Sequence, residues 1–217
     1  KSIFKCWQEG SRLDYQGEFY RHTLMTPMFN PGANEFGAPP ITMGALGPKM
    51  TEVAGEVADG LIVHPFNNEP FVKENTLPAL DLGIEKSGRD RSDISLNVHA
   101  IVITGESEEE MNDARDSVKK LLGFYGSTPA YLAPMDSIGY GALHPELNRL
   151  SKKGKWNELG EAIDEGFLEA FCIEGEPSDL ASKLINRHGG YADRIGLYAP
   201  YNVSDNIWRQ LLSDLKG

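Results

Sequence analysis

The stretch PPITMGALGPKMTEVAGEVADGLIVHPF, from Pro39 to Phe66, holds a strand, a tight turn, a helix and a second strand in succession. That order limits the fold more than any other feature. Residues 41–45 form a short apolar run. Gly47 follows, and Pro48 falls at a first helical position, where its missing N–H does no harm. Met50, Val53, Ala54, Val57 and Ala58 recur with helical spacing, which predicts a helix that buries those five side chains and turns Thr51, Glu52 and Glu56 to water. Asp59-Gly60 stops it. Residues 61–64 (LIVH) then read as a near-continuous apolar strand, the kind found in parallel sheets covered on both faces.

The same alternation continues. Residues 68–88 are mostly helical, with Pro78 starting or kinking the second half. Residues 94–105 carry the longest strand signal. Ser107 with Glu110 makes a capping box that opens a helix with an apolar face of Met111, Ala114, Val118, Leu121 and Leu122. Helical and irregular segments follow, and residues 122–190 are expected to form a helical insertion. Pro177 starts a helix with Leu180, Ala181, Leu184 and Ile185 buried. Residues 193–200 read as a fourth parallel-type strand, before a last helix carrying Ile207, Leu211, Leu212 and Leu215. Ahead of these units, residues 13–20 suggest a hairpin around Gln16-Gly17, and residues 30–40 are a loop by composition. Such alternation means an α/β protein with a parallel sheet.

Four βα units are about half of an eight-unit barrel, and half a barrel leaves two open sheet edges. The chain opens on Lys1, with Ile3, Phe4 and Trp7 at helical spacing and no cap before them. It is expected to be the C-terminal portion of a single barrel domain over residues 1–217. Its edges would be covered by a homo-oligomer partner or by a missing N-terminal half.

The net charge of −11 over 217 residues argues against nucleic acid and against anionic membrane surfaces as partners. Cys6 and Cys172 lie far apart and outside any Cys-x-x-Cys spacing, which argues against a disulfide framework or a zinc site and suits a reducing cytoplasm. No apolar run approaches membrane-spanning length.

The turn GALGPK (Gly44, Ala45, Leu46, Gly47, Pro48, Lys49) is the first candidate site. A phosphate needs several N–H donors converging on one point with positive charge nearby, and a Gly-rich turn entering a helix supplies both. The same residues also serve as an ordinary tight βα connection with Lys49 solvated. His64 ends a buried strand, at the rim where barrel enzymes keep their chemistry, and is a candidate for substrate contact or proton transfer, or else a strand-end cap. Phe66 and Tyr198 are candidate pocket walls. His99 reads as a satisfied core histidine, and Asp164, Glu165 and Glu169 as a solvated helix face. No metal-ligand spacing is present.

Three blocks in order carry a family resemblance. They are LDYQGEFYRHTLMTP (residues 13–27), the 39–66 stretch, and YGSTPAY (residues 125–131) followed by LSKKGKWNELGEAIDEGFLEAFCIEGEPSDLASKL (residues 150–184). The chain resembles the C-terminal part of the bacterial luciferase-like flavin monooxygenases, in the branch of oxidoreductases that use a 5-deazaflavin coenzyme. The resemblance implies a (β/α)8 TIM barrel present here as about strands five to eight, with residues 41–45 as strand five and 194–198 as strand eight. It implies a cofactor, coenzyme F420 or FMN, held by its phosphate at residues 44–49, and a small organic substrate beside His64, Phe66 and Tyr198. Family members draw much of their ring-contacting and catalytic set from the first four strands. The alternative is therefore a non-catalytic partial-barrel binding or assembly module without the ring pocket. A third reading is a barrel enzyme that takes a sugar phosphate at the same turn.

Overall fold

The computed structural model describes residues 1–216, which divide into a unit at Lys1–Ile41 and a second that begins at Thr42. The first unit opens with helix α1 (Ser2–Glu9), closed by Gly10 in the left-handed region at φ 65°. Strands β1 (Tyr15–Gln16) and β2 (Arg21–His22) pair antiparallel, so the hairpin is present, but its turn spans residues 17–20. Cys6 and Leu13 are buried in this unit.

The second unit is built on five parallel strands: β3 (Thr42–Ala45), β4 (Gly60–Val63), β5 (Ser95–Ile103), β6 (Cys172–Glu174) and β7 (Arg194–Tyr198). The central strand β5 is long enough to serve three neighbours. Asn97 and Val98 pair with β4 on one edge and β7 on the other, while Ile101 pairs with Cys172 and Tyr198. Strands β4 and β6 therefore share one edge of β5, end to end. Strand β6 (Cys172–Glu174) lies inside the stretch expected to form a helical insertion; at three residues it is too short to show a periodicity.

The helical layer follows the expected order. Helix α2 (Pro48–Val57) leads into β4. A long helical stretch then runs through α3 (Glu69–Phe71) and α4 (Leu77–Ser87), joined by a π turn at Val72–Thr76. The π turn has a local cause. Pro78 cannot donate to Glu74, and its ring would collide with that carbonyl in a regular helix; the wider turn moves it away. Leu61, Val63, Leu96 and Val98 project from the sheet onto Ala54, Ala58, Val72, Leu80 and Ile84. Leu80 is fully buried, and such burial contributes about 2 kcal/mol.

The orientation of α2 corrects one expectation. Thr51 is fully buried, whereas Met50, Val53 and Val57 are 51%, 38% and 51% exposed. The reason is the crossing with α4. A Cβ added to Gly55 would lie 2.4 Å from the Leu80 carbonyl oxygen, and one added to Gly83 would lie 1.9 Å from that of Glu52. The two backbones touch at these glycines, which fixes which face of α2 turns inward. The Thr51 hydroxyl is satisfied by donating to the Gly47 carbonyl at 3.0 Å, so its burial leaves no polar group stranded. Glu52 and Glu56 both pair with Lys86 across the crossing.

Helix α5 (Glu108–Gly126) is capped by Ser107, whose hydroxyl accepts from the Glu110 N–H at 3.2 Å. The returning arm of the box differs from expectation: the Glu110 carboxylate accepts from the Glu106 N–H. Beyond it lie α6 (Leu132–Asp136), α7 (His144–Lys152), α8 (Trp156–Glu161) and α9 (Glu165–Phe171), which pack on Ile101 and Ile103 through Met135, Leu147, Leu159 and Phe167. Helices α10 (Pro177–His188) and α11 (Asp205–Asp214) cover Ala100, Val102 and Ile173. Among the described residues, no helix is long and apolar enough to cross a membrane, and β3 pairs on one edge only.

Candidate active site

All five strands run parallel, so their C-terminal ends share one rim. Register places Ala45 beside Val63, Val63 beside Val98, and Val98 beside Ile195. The turn after β3 and His64 after β4 are therefore neighbours on that rim.

At the turn, β3 delivers Gly44 and Ala45, Leu46 crosses, and Gly47 becomes the N-cap of α2 with Pro48 at the first helical position. The Thr51 N–H makes the first helical bond, to the Gly47 carbonyl at 3.1 Å. The N–H groups of Lys49 and Met50 precede it and have no intrahelical partner. A Ser, Asp or Asn cap would occupy one of them, but Gly47 has no side chain to do so, and the first turn carries no acidic residue. Lys49 is exposed. The two glycines are the informative feature. Neither Gly44 nor Gly47 has a positive φ, and a Cβ added to either would meet nothing within 4 Å. Backbone strain and packing therefore leave both positions free to carry a side chain. Gly47, at the N-cap, leaves open space where a side chain would stand, at a helix start whose first N–H groups lack intrahelical partners, a setting that suits a phosphate group.

His64 sits in an aromatic cluster assembled from distant segments. Its ring lies 4.7 Å from Tyr131 at 31° and meets the edge of Tyr125 at 5.1 Å. The Phe66 N–H donates to His64 Nδ1 at 3.1 Å, and Nε2 lies 3.2 Å from the Tyr131 hydroxyl. Burial, and secondarily the charge of His99, hold the His64 pKa below its ordinary value, so the neutral ring is favoured. Tyr198, at the end of β7, neighbours Tyr125; burial first and the Tyr198 hydroxyl second push the Tyr125 hydroxyl pKa well up. Phe66 is fully buried and stacks on Phe171 at 4.2 Å, backing the cluster from behind rather than facing open space.

His64, Phe66 and Tyr198 thus gather in one place, with GALGPK on the adjoining strand end. Tyr125, from the last turn of α5, and Tyr131, from the 3₁₀ turn at Pro129–Tyr131, were not among the expected site residues. Their signal was the YGSTPAY segment, in which two tyrosines flank a Thr-Pro turn. Asn67 and Asn68 were also missed. Both are buried, and they fasten the rim: Asn67 Nδ2 donates to the His64 carbonyl at 2.6 Å, and Asn68 Nδ2 to the Pro134 carbonyl at 2.7 Å. His99 is half-buried rather than a core residue, its ring lying over Gly196, where a Cβ would come within 2.6 Å.

A groove of about 850 Å³ runs along α5, α9, β6 and α10, and shares no lining residue with the GALGPK turn or the His64 aromatic cluster. Within it Arg115 pairs with Glu174 and Lys183 with Asp179, and Arg115 also reaches Glu165. Asp164 caps α9 and Glu165 pairs with Lys119, which are structural roles. Among the described residues, no cluster of His, Cys, Asp or Glu is arranged to hold a metal ion.

Comparison with known proteins places this geometry in context. The family model described as luciferase-like monooxygenase matches residues 2–194. An uncharacterized protein of Mycobacterium tuberculosis (strain H37Rv) is 42% identical over 195 residues, covering 90% of this chain and 57% of that protein. The 5,10-methylenetetrahydromethanopterin reductase of Archaeoglobus fulgidus is 26% identical over 188 residues, covering 84% and 53%. The solved structure of the coenzyme F420-dependent tetrahydromethanopterin reductase from Methanopyrus kandleri superposes with a TM-score of 0.73 at 20% identity, over 98% of this chain and 59% of that one. The chain spans about half the length of the curated relatives it matches. The fold is that of part of a luciferase-like TIM barrel.

Proposed function

The chain belongs to the luciferase-like monooxygenase family, and from that premise we propose that it forms the cofactor-phosphate and substrate-side part of an oxidoreductase that uses coenzyme F420 on a small organic substrate. One observation carries the reading: Gly47, with no steric or conformational need to be glycine, leaves open space at a helix start whose first N–H groups have no intrahelical partner. The named dependence of the Methanopyrus kandleri reductase on coenzyme F420 supports this cofactor over FMN.

When bound, the deazaflavin supplies the hydride chemistry. The chain's own residues do the rest. The N–H groups of Lys49 and Met50 and the Lys49 ammonium hold the phosphate. His64 and Tyr198 face the substrate side, and Phe66 holds that wall in place. The rings of Tyr125 and Tyr131 displace water from around His64, which strengthens any hydrogen bond made there. Two free, buried thiols, Cys6 and Cys172, accord with a reducing cytoplasm.

The test is a titration of the purified chain with coenzyme F420 and, separately, with FMN, followed by visible absorbance. Saturable binding of F420 supports the reading; binding of neither contradicts it.

A further inference from the structure

A pocket of about 250 Å³ lies where the end of β5 meets the first turns of α5 and α11, apart from the GALGPK turn and the His64 cluster. Thr104 lines it, is only 1% exposed, and has a hydroxyl without a hydrogen-bond partner. Strand alternation says where that side chain points. Ala100 and Val102 pack against Leu180, Leu184 and Leu211 of α10 and α11, so Thr104, two residues on, faces the same helical layer. The backbone around it is fixed by Tyr201, whose hydroxyl accepts from the Thr104 N–H at 2.8 Å and donates to the Val102 carbonyl at 3.0 Å. A buried hydroxyl left unpaired is costly, and here it stands beside a space large enough for a small molecule.

The side chains around the pocket carry charge of one sign. Glu110 and Asp113, one turn apart on α5, line it, and no Lys, Arg or His does. Among the described residues, neither carboxylate has a cationic partner; one Glu110 oxygen accepts from the Glu106 N–H at 2.7 Å. The starts of α5 and α11 each bring a dipole worth about +0.5 charge, roughly +1 together against −2 from the carboxylates. The balance favours a cation. Among the described residues, no group of three His, Cys, Asp or Glu could hold a metal ion, and the pocket is many times the volume of one. Val203 and Ile207 add apolar wall for a short alkyl stem.

We propose that this pocket binds a short aliphatic primary ammonium through the Glu110 and Asp113 carboxylates and the Thr104 hydroxyl oxygen. An ammonium carries three donors and no acceptor, which matches three acceptors with no cation among them. The site does not depend on the cofactor reading. Both carboxylates are exposed, so affinity should be about millimolar and should fall with added salt.

The experiment titrates n-butylammonium chloride into the full chain at neutral pH and constant ionic strength, followed by amide chemical shifts of Gly105 and Asn202. Saturable shifts are expected. Thr104→Val keeps the shape and removes the hydroxyl. It should weaken binding about three- to tenfold, while the free protein stays at least as stable as wild type, because no hydrogen bond is lost. Asp113 is exposed, so Asp113→Asn leaves the fold untouched and should weaken binding about tenfold. Absence of saturable shifts would overturn the proposal, as would unchanged affinity in either variant. So would equally tight binding of tetramethylammonium or butyrate, neither of which can donate an N–H bond.

Discussion

Substituting Gly83 by alanine tests the helix crossing that sets the orientation of α2. The new Cβ would fall 1.9 Å from the Glu52 carbonyl oxygen, a backbone atom that cannot swing aside. Relief requires α2 and α4 to separate by roughly 1 Å, loosening the close-packed contact of Ala54, Leu80 and Ile84. Overpacking of this kind costs about 1–3 kcal/mol. Against it stands the gain of about 1 kcal/mol from replacing glycine by alanine within a helix. The difference is about 0–2 kcal/mol, and the strain on rigid backbone at both sides puts the expected loss in the upper half of that range. In urea unfolding followed by far-ultraviolet circular dichroism, the midpoint should fall by about 0.5–1 M. Gly47→Ala provides the contrast: its Cβ meets nothing within 4 Å and its φ of −77° suits any residue, so stability should stay within about 0.5 kcal/mol of wild type. A Gly83→Ala protein as stable as wild type would refute the crossing geometry.

Two further outcomes follow from buried polar groups. Tyr201 bridges the end of β5, donating to the Val102 carbonyl at 3.0 Å and accepting from the Thr104 N–H at 2.8 Å, and burial raises its pKa to about 12. Tyr201→Phe strands both backbone groups and should cost about 1–3 kcal/mol, read as a lowered Tm. Burial, and then the neighbouring Arg187, lower the His188 pKa to about 4, against a weak opposing effect of Glu69, and the Tyr191 hydroxyl lies 2.7 Å from its Nδ1. The native state therefore prefers the neutral ring. His188's stabilising contribution is complete above the unfolded value of about 6.5 and is lost as pH falls toward 4, by about 3 kcal/mol. The stability gap between wild type and His188→Gln should narrow by that amount over this window. A gap that stays constant with pH contradicts the burial of a neutral His188.

The βα alternation was legible because its marks are local: Gly and Pro at element ends, apolar runs for β4 and β5, and a hydroxyl three residues before a glutamate at α5. The face of α2 was not. Met50, Val53 and Val57 have perfect helical spacing, but the face that packs is chosen by contact between Gly55 and Gly83, residues far apart in sequence and without side chains. Strand β6 escaped because three residues have no period. At the site, the positions of GALGPK, His64 and Tyr198 could be read from strand ends. Tyr131 could not, since its partner His64 is 67 residues away and tertiary packing alone brings them together. Phe66 was expected as a pocket wall, but full burial makes it a support behind the His64 and Tyr131 rings.

The open space at Gly47, on the start of α2, is the proposed seat of a cofactor phosphate. Its most direct test is the affinity of coenzyme F420 for wild type and Gly47→Val, measured by visible absorbance on proteins matched for stability. Saturable binding to wild type and about tenfold or greater weakening in the variant are expected, because the valine side chain fills the approach while leaving the fold intact. Binding unchanged by Gly47→Val, or no binding to wild type, would contradict it.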